Sequence, residues 1–244
     1  MLRFFTIILL GIMLFGCSSN GELKSNEAKE NILFIGNSYT YRNGGVDYHL
    51  RRLTKGVEGI DSTFITRAAK GKYHLYTHWK DKETIAKLLT RKWDKIVLQE
   101  YSSGPTKEKS AFYKFGKAWK QRILKLNPKT KILLYATWGY KQTDKMVDTL
   151  DYEYTNLQKE LGADKVPVGL MWKSLKDKVN LYDADNAHPN RKGTFITACL
   201  FYEYLFNKDV TKTPHLDDRL SIKEQNQLKL WAHEFHLKMM KENT

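Results

Sequence analysis

Five short apolar runs, each followed by a longer stretch of helical period, constrain this 244-residue chain more than any other feature. Runs rich in Ile, Val, Leu and Phe, bounded by polar or glycine-containing turns, predict strands at 31–35, 62–67, 95–99, 131–136 and 165–168. Helical periodicity covers 46–55, 74–90, 108–126, 145–161, 191–207 and 222–241. Strands separated by helices need crossover connections, which make neighbouring strands parallel and demand helices on both sheet faces. The expectation is an α/β fold. It is a three-layer αβα sandwich around a five-stranded parallel sheet, with the flavodoxin-like strand order 2-1-3-4-5. The last helix carries its own start signal, a capping box of Ser221 and Glu224. Its apolar stripe reads Leu228, Trp231, Phe235 and Met239, which predicts packing on the domain.

The N-terminus is expected to stand outside this fold. Arg3 precedes an apolar stretch, 4–15, that is too short to span a bilayer comfortably. Leu14-Phe15-Gly16-Cys17 resembles the lipobox of bacterial lipoproteins. That resemblance implies a signal peptide over 1–16 and lipidation of Cys17. It also implies an exported envelope protein, periplasmic or on the cell surface, held to a membrane by its N-terminal lipid. Residues 17–29 are polar and suit a tether, leaving 30–244 as one domain. With Cys17 lipidated, only Cys199 remains; it lies in an apolar run and reads as a small core residue.

Lysine and arginine number 41 against 27 acidic residues, a formal charge of +14. The lysines are spread along the chain, which argues against a nucleic-acid stripe. A basic surface could favour anionic polysaccharide or lipid headgroups, although a solvated lysine-rich face is the commoner cause.

Two distant stretches carry chemistry. Ser38 lies three residues beyond Ile35, at the carboxyl end of the first strand, where open α/β sheets bind ligands. Asp185 and His188 are three residues apart in the loop before the helix at 191–207. A serine hydroxyl is a poor nucleophile at neutral pH and needs a base within hydrogen-bond reach. That base needs a third group to fix its tautomer and stabilise its cationic form. With order 2-1-3-4-5, Ser38 and Gln99-Glu100-Tyr101-Ser102 flank the same switch point.

Ile32-Leu33-Phe34-Ile35-Gly36-Asn37-Ser38 and Asp185-x-x-His188 together resemble the first and last blocks of the SGNH, or GDSL-like, hydrolase superfamily. Asn37 stands where the named motif has aspartate. The third block, Gly-x-Asn-Asp, is absent, and Leu98-Gln99-Glu100-Tyr101-Ser102 occupies its place, as in an exported bacterial branch of that superfamily. The resemblance implies Ser38 as nucleophile, His188 as general base and then acid, and Asp185 as the orienting carboxylate. It implies an oxyanion hole from the N–H groups of Ser38 and Gly71. Gln99 is the candidate for the third donor in place of the family's asparagine, with Ser102 as the other possibility. Gln99 and Glu100 could equally be polar residues that close a buried strand.

The implied activity is a metal-free and cofactor-free serine esterase acting on small acyl esters, acetyl above all. Aromatic residues cluster near strand ends: Tyr39, Tyr41, Tyr101, Trp138 and Tyr140. Because aromatic faces suit sugar rings, Tyr39, Tyr101 and Trp138 are the candidate substrate-binding residues and an acylated glycan the favoured substrate; core or rim packing is the competing explanation. The alternative is a catalytically inactive glycan-binding envelope lipoprotein. His74 and His78 have metal-pair spacing but lack an evident third ligand, so His78 reads as structural. His233-Glu234-Phe235-His236 lacks the four-residue histidine spacing of zinc proteases and reads as a solvated helix face.

Overall fold

The computed structural model describes residues 30–214 and 217–242; the expected signal segment, Cys17 and the tether at 17–29 lie outside them. Strands β1 (Asn31–Gly36), β2 (Phe64–Ala69), β3 (Lys95–Leu98), β4 (Lys131–Tyr135) and β5 (Asp164–Val166) form one sheet. Every pairing is parallel and the order is β2-β1-β3-β4-β5. The helices are α1 (Ser38–Tyr41), α2 (Val46–Thr54), α3 (Leu75–Lys80), α4 (Lys82–Leu89), α5 (Gly104–Lys107), α6 (Lys109–Leu126), α7 (Asp144–Leu161), α8 (Val168–Ser174), α9 (Arg191–Phe206) and α10 (Ile222–Glu242). The expected architecture and strand order are both present. None of the described helices is long and apolar enough to cross a membrane.

The two faces of the sheet bury alternate residues of each strand. On one side Ile32, Phe34, Val97, Leu133 and Tyr135 pack against α2, α8, α9 and α10. On the other, Leu33, Ile35, Ile96, Leu98 and Leu134 pack against α3, α6 and α7 around Trp119 and Tyr154. Residues covered on both faces must be continuously apolar, which is why the strands read as unbroken hydrophobic runs. Cys199 is buried with the first group, as expected.

Three local features depart from the sequence reading. The stretch 74–90 is two helices, because the Asp81 carboxylate accepts the Thr84 N–H at 2.9 Å and starts a new helix inside the periodic run. The short helices α1, α5 and α8 are below the length at which periodicity is visible. In α10 the capping box forms, with Ser221 N to Glu224 Oε2 at 3.0 Å and Glu224 N to Ser221 Oγ at 3.2 Å. Its buried line, however, is Gln225, Leu228, Lys229, Ala232 and His236, with Trp231 and Phe235 packed at its edge. The histidines of this helix are therefore not on a solvated face. His236 is buried against Tyr204, and His233 Nδ1 lies 2.9 Å from Glu203 Oε1.

His78 is structural, as expected. Its Nε2 donates to the Gly36 carbonyl at 2.7 Å and its Nδ1 meets Thr84 Oγ1 at 2.8 Å, tying the end of β1 to α4. Burial lowers His78 to about 4, and burial likewise lowers His49 to about 4 against the opposing pull of Asp217. An unfolded histidine takes up its proton near ~6.5. Between these limits the unfolded chain binds more protons than the folded one, so stability is full above the window and falls on acidification through it. The thermal midpoint should drop steadily from about pH 7 to about pH 4.5, and His78→Gln should flatten part of that slope. A midpoint independent of pH across this range would contradict the neutral buried histidines.

Candidate active site

Gly36 ends β1 where its carbon approaches β3. A Cβ there would stand 2.5 Å from both Gln99 Oε1 and Thr40 Oγ1, so only glycine fits. Asn37 follows as the N-cap of α1, its Oδ1 accepting from Tyr39 N at 3.2 Å. Its Nδ2 donates to the carbonyls of Tyr73 at 3.1 Å and Glu100 at 3.2 Å. An aspartate, which has no donor, could not make the last two bonds, and this accounts for asparagine at the position. Ser38 is then the first residue of α1, half-buried. Its N–H is one of the amides that a helix start leaves without an intrahelical acceptor.

The loop bearing Asp185 and His188 is fastened on several sides. Trp138 Nε1 donates to the Ala187 carbonyl at 2.9 Å, and Lys141 N to the Asn186 carbonyl at 2.9 Å. Tyr182 and Pro189 form an antiparallel bridge, and Asn190 caps α9 by accepting from Gly193 N at 3.0 Å. Asn43 joins the loop to the segment that follows Ser38. It adopts a left-handed backbone (φ 55°), and its Nδ2 donates to the Pro189 carbonyl at 2.8 Å. His49 Nε2 meets the Asn43 carbonyl at 3.2 Å.

These supports bring the three expected residues together across 150 positions of sequence. Ser38 Oγ lies 2.9 Å from His188 Nε2, and His188 Nδ1 lies 2.5 Å from Asp185 Oδ2. Asp185 Oδ1 accepts from the N–H groups of His188 at 2.8 Å and Ala187 at 3.0 Å. Burial pushes the Asp185 carboxyl up, but the His188 and Ala187 N–H groups and the imidazole outweigh it and hold the group down to about 2. The side chains are open to solvent, 25% for His188 and 46% for Asp185. This order of groups can pass a proton from the hydroxyl to the imidazole while the carboxylate stays charged.

The remaining expected residues divide. Gly71 follows β2 in a turn and is exposed; an added Cβ would stand 3.1 Å from Tyr41 Oη. Tyr101 is part-exposed and stacks on His74 with ring centres 4.6 Å apart. Ser102 is buried, and its Oγ lies 3.4 Å from Tyr140 Oη. Three assignments need correction. Gln99 is fully buried and has no N–H left for a substrate: Nε2 donates to Asn37 Oδ1 and the Glu100 carbonyl, both at 2.8 Å. Its Oε1 accepts from Asn37 N at 2.9 Å and Thr40 Oγ1 at 2.8 Å. Tyr39 and Trp138 are buried rather than open to a ligand. They stack on each other at 4.4 Å, and Trp138 stacks on Trp172 at 3.8 Å. Both aromatics brace the histidine loop from beneath, Tyr39 edge-on to the His188 ring at 5.6 Å.

Asn43 and the buried Glu100 escaped the sequence reading as parts of the site. Glu100 Oε1 accepts from Tyr101 N at 2.6 Å and lies 2.9 Å from His74 Nδ1, so it secures the segment beside Tyr101. An asparagine followed by two glycines, Asn43-Gly44-Gly45, was the available signal for the first. Among the described residues, Glu203, Asp209 and His233 bring ligand-type atoms within 4.8 Å of one another. They lie at the end of α9 away from His188. The carboxylates there already accept from Val210 N and Thr211 N, which makes the cluster a clasp between α9 and α10.

No family model matches the chain, and no curated protein does. Solved structures do match. A DUF4886 family protein from Bacteroides uniformis ATCC 8492 is 20% identical, with 85% of this chain and 95% of that one covered and a TM-score of 0.63. An acetyl xylan esterase from Geobacillus stearothermophilus is 17% identical over 73% of this chain and 95% of its own, with a TM-score of 0.56. A lipase/acylhydrolase from Enterococcus faecalis is 12% identical over 72% and 95%, with a TM-score of 0.55. What this chain shares with these proteins is the fold.

The saturated Gln99 makes a clear prediction. Gln99→Ala should lower stability by roughly 2–4 kcal/mol, since Asn37 and Glu100 would keep buried polar groups without partners. A urea midpoint measures this. An unchanged midpoint together with a large loss of turnover would return Gln99 to the oxyanion hole.

Proposed function

We propose that this protein is a serine ester hydrolase that removes small acyl groups, acetyl above all, from carbohydrate. The observation that carries the reading is the unbroken line from Ser38 Oγ to His188 Nε2 at 2.9 Å and from His188 Nδ1 to Asp185 at 2.5 Å. Likeness to an acetyl xylan esterase supports it. Catalytic mutants of that esterase replace a histidine and a serine by alanine. The open setting of the histidine and aspartate suits an acyl group carried on a polymer.

In the proposed cycle Ser38 Oγ attacks the ester carbonyl carbon as its proton passes to His188 Nε2. The N–H groups of Ser38 and Gly71 hold the oxyanion. Of the two side chains considered for a third donor, Gln99 is engaged elsewhere and Ser102 is left. The tetrahedral intermediate collapses, the alcohol departs with the proton from His188, and an acyl-serine remains. Water then attacks the acyl carbon, giving its proton to His188, which returns it to Ser38 as the carboxylic acid leaves. Asp185 keeps the imidazole oriented and offsets its positive charge. Of Tyr39, Tyr101 and Trp138, Tyr101 is the one part-exposed and open to a sugar. Export, a lipid on Cys17 and a membrane-tethered place in the cell envelope complete the reading, supported by the lipobox resemblance.

A fluorophosphonate should label Ser38 in the full chain held in detergent, and mass spectrometry should locate the adduct on that residue. Ser38→Ala should reduce hydrolysis of p-nitrophenyl acetate by about four to six orders of magnitude. Equal rates for variant and parent would reject the esterase. Asp185→Asn should cost roughly four orders of magnitude in kcat with little change in KM, because an amide at that place favours the wrong tautomer. A rate within tenfold of the parent (about 1.4 kcal/mol) would remove Asp185 from the mechanism.

A further inference from the structure

A groove of about 1020 Å³ lies between the loop after β4, the first turn of α7, and the end of α8 with its following loop. One rim belongs to the histidine loop system, since Lys141 N holds the Asn186 carbonyl and Tyr182 bridges Pro189. The lining is strongly basic: Lys141, Lys145, Lys173, Lys176 and Lys178 face Asp144 and Asp177. Lys173 is paired with Asp148 and Lys176 with Asp144, each at 2.5 Å. Lys141, Lys145 and Lys178 are exposed and make no ion pair among the described residues. They come from three segments and approach from both walls. Uncompensated like charges around one groove repel one another, and a bound anion relieves that repulsion.

We propose that this groove is a subsite for an anionic glycan, a chain whose sugars carry carboxylates, running on from the ester at Ser38. The inference rests on the esterase reading for the ester and on the lysines for the charge. Part-exposed Tyr140 and Tyr182 line the groove and offer ring surface on which a sugar can pack. The volume is that of a site for several rings rather than for a single small acid. Lysine binds a carboxylate as a point charge without fixed geometry, which fits a repeating polymer better than one defined ligand.

The test compares acetylated polygalacturonate, acetylated neutral xylan and p-nitrophenyl acetate as substrates for the full chain in detergent. The comparison variant carries Lys141→Glu, Lys145→Glu and Lys178→Glu. With acetylated polygalacturonate the parent should show the lower KM of the two polymers. The variant should raise that KM about tenfold or more with kcat nearly unchanged, three weak surface contacts being lost and reversed. Hydrolysis of p-nitrophenyl acetate and of neutral xylan should not change. About 0.5 M NaCl, where screening shortens to roughly 4 Å, should erase the parent's preference. Direct binding of de-esterified polygalacturonate, lost in the variant, reads the groove without any catalysis. A parent that binds this polymer but hydrolyses no ester would overturn the esterase and leave the groove standing. Equal KM values for both polymers, or equal polymer binding by parent and variant, would overturn the groove while active p-nitrophenyl acetate hydrolysis kept the esterase. Lysine-dependent binding to phosphatidylglycerol vesicles without binding to the polymer would also overturn it.

Discussion

Asn37 and Gln99 exchange hydrogen bonds across the carboxyl ends of β1 and β3, and the placement of Ser38 depends on that exchange. Gln99 Oε1 takes the Asn37 N–H, while Gln99 Nε2 gives to Asn37 Oδ1. Both residues are buried, so each bond stands in a low-dielectric setting where a lost partner is costly. Gly36 permits the close approach, and His78 holds the Gly36 carbonyl from the far side. Ser38 sits one residue beyond this knot. A hydroxyl so mounted has little freedom to drift from the imidazole, and orientation of this kind is what the proposed activity would need.

The imidazole is held by a different kind of support. Tyr39, Trp138 and Trp172 form a buried aromatic stack, and the indole N–H at its centre grips the loop between Asp185 and His188. Stacked rings resist compression and bring large contact areas with few rotatable bonds. Asn43 then links that loop to the residues after Ser38, so the two halves of the candidate triad share a direct tie besides the Ser–His hydrogen bond itself. The cost of an asparagine in the left-handed region is small for this residue type and is offset by two side-chain bonds, to Pro189 and Thr194.

The sheet was readable because a parallel strand buried on both faces has little choice of residue: Ile32 to Ile35 cannot be anything but apolar. Ser38, Asp185 and His188 stood in a recognisable order in the sequence, and the structure brings them within hydrogen-bond reach of one another. What failed was direction. Tyr39 and Trp138 have the composition of a sugar platform, but period and propensity do not say whether a ring near a strand end turns inward. Gln99 has the chemistry of an oxyanion donor, yet Asn37 and Thr40, one and two residues from the serine, claim its amide first. The split of the stretch 74–90 turned on one aspartate whose side chain found a backbone N–H. A helical period alone has no means of registering that bond.

The histidines show why residue type alone does not locate catalysis. His78 and His49 are buried, lowered to about 4 and bonded to backbone carbonyls; a base that cannot take a proton near neutrality has no use in acyl transfer. Among the described residues, His236 is buried and forms no ion pair, and His233 has the Glu203 carboxylate but no serine hydroxyl bonded to it. His74 stacks between Tyr76 and Tyr101 with Glu100 behind it, and again lacks a nucleophile. His188 alone among these combines access to solvent, a carboxylate that stays ionised and a serine hydroxyl at 2.9 Å. Each of the others serves the fold that brings those three conditions together.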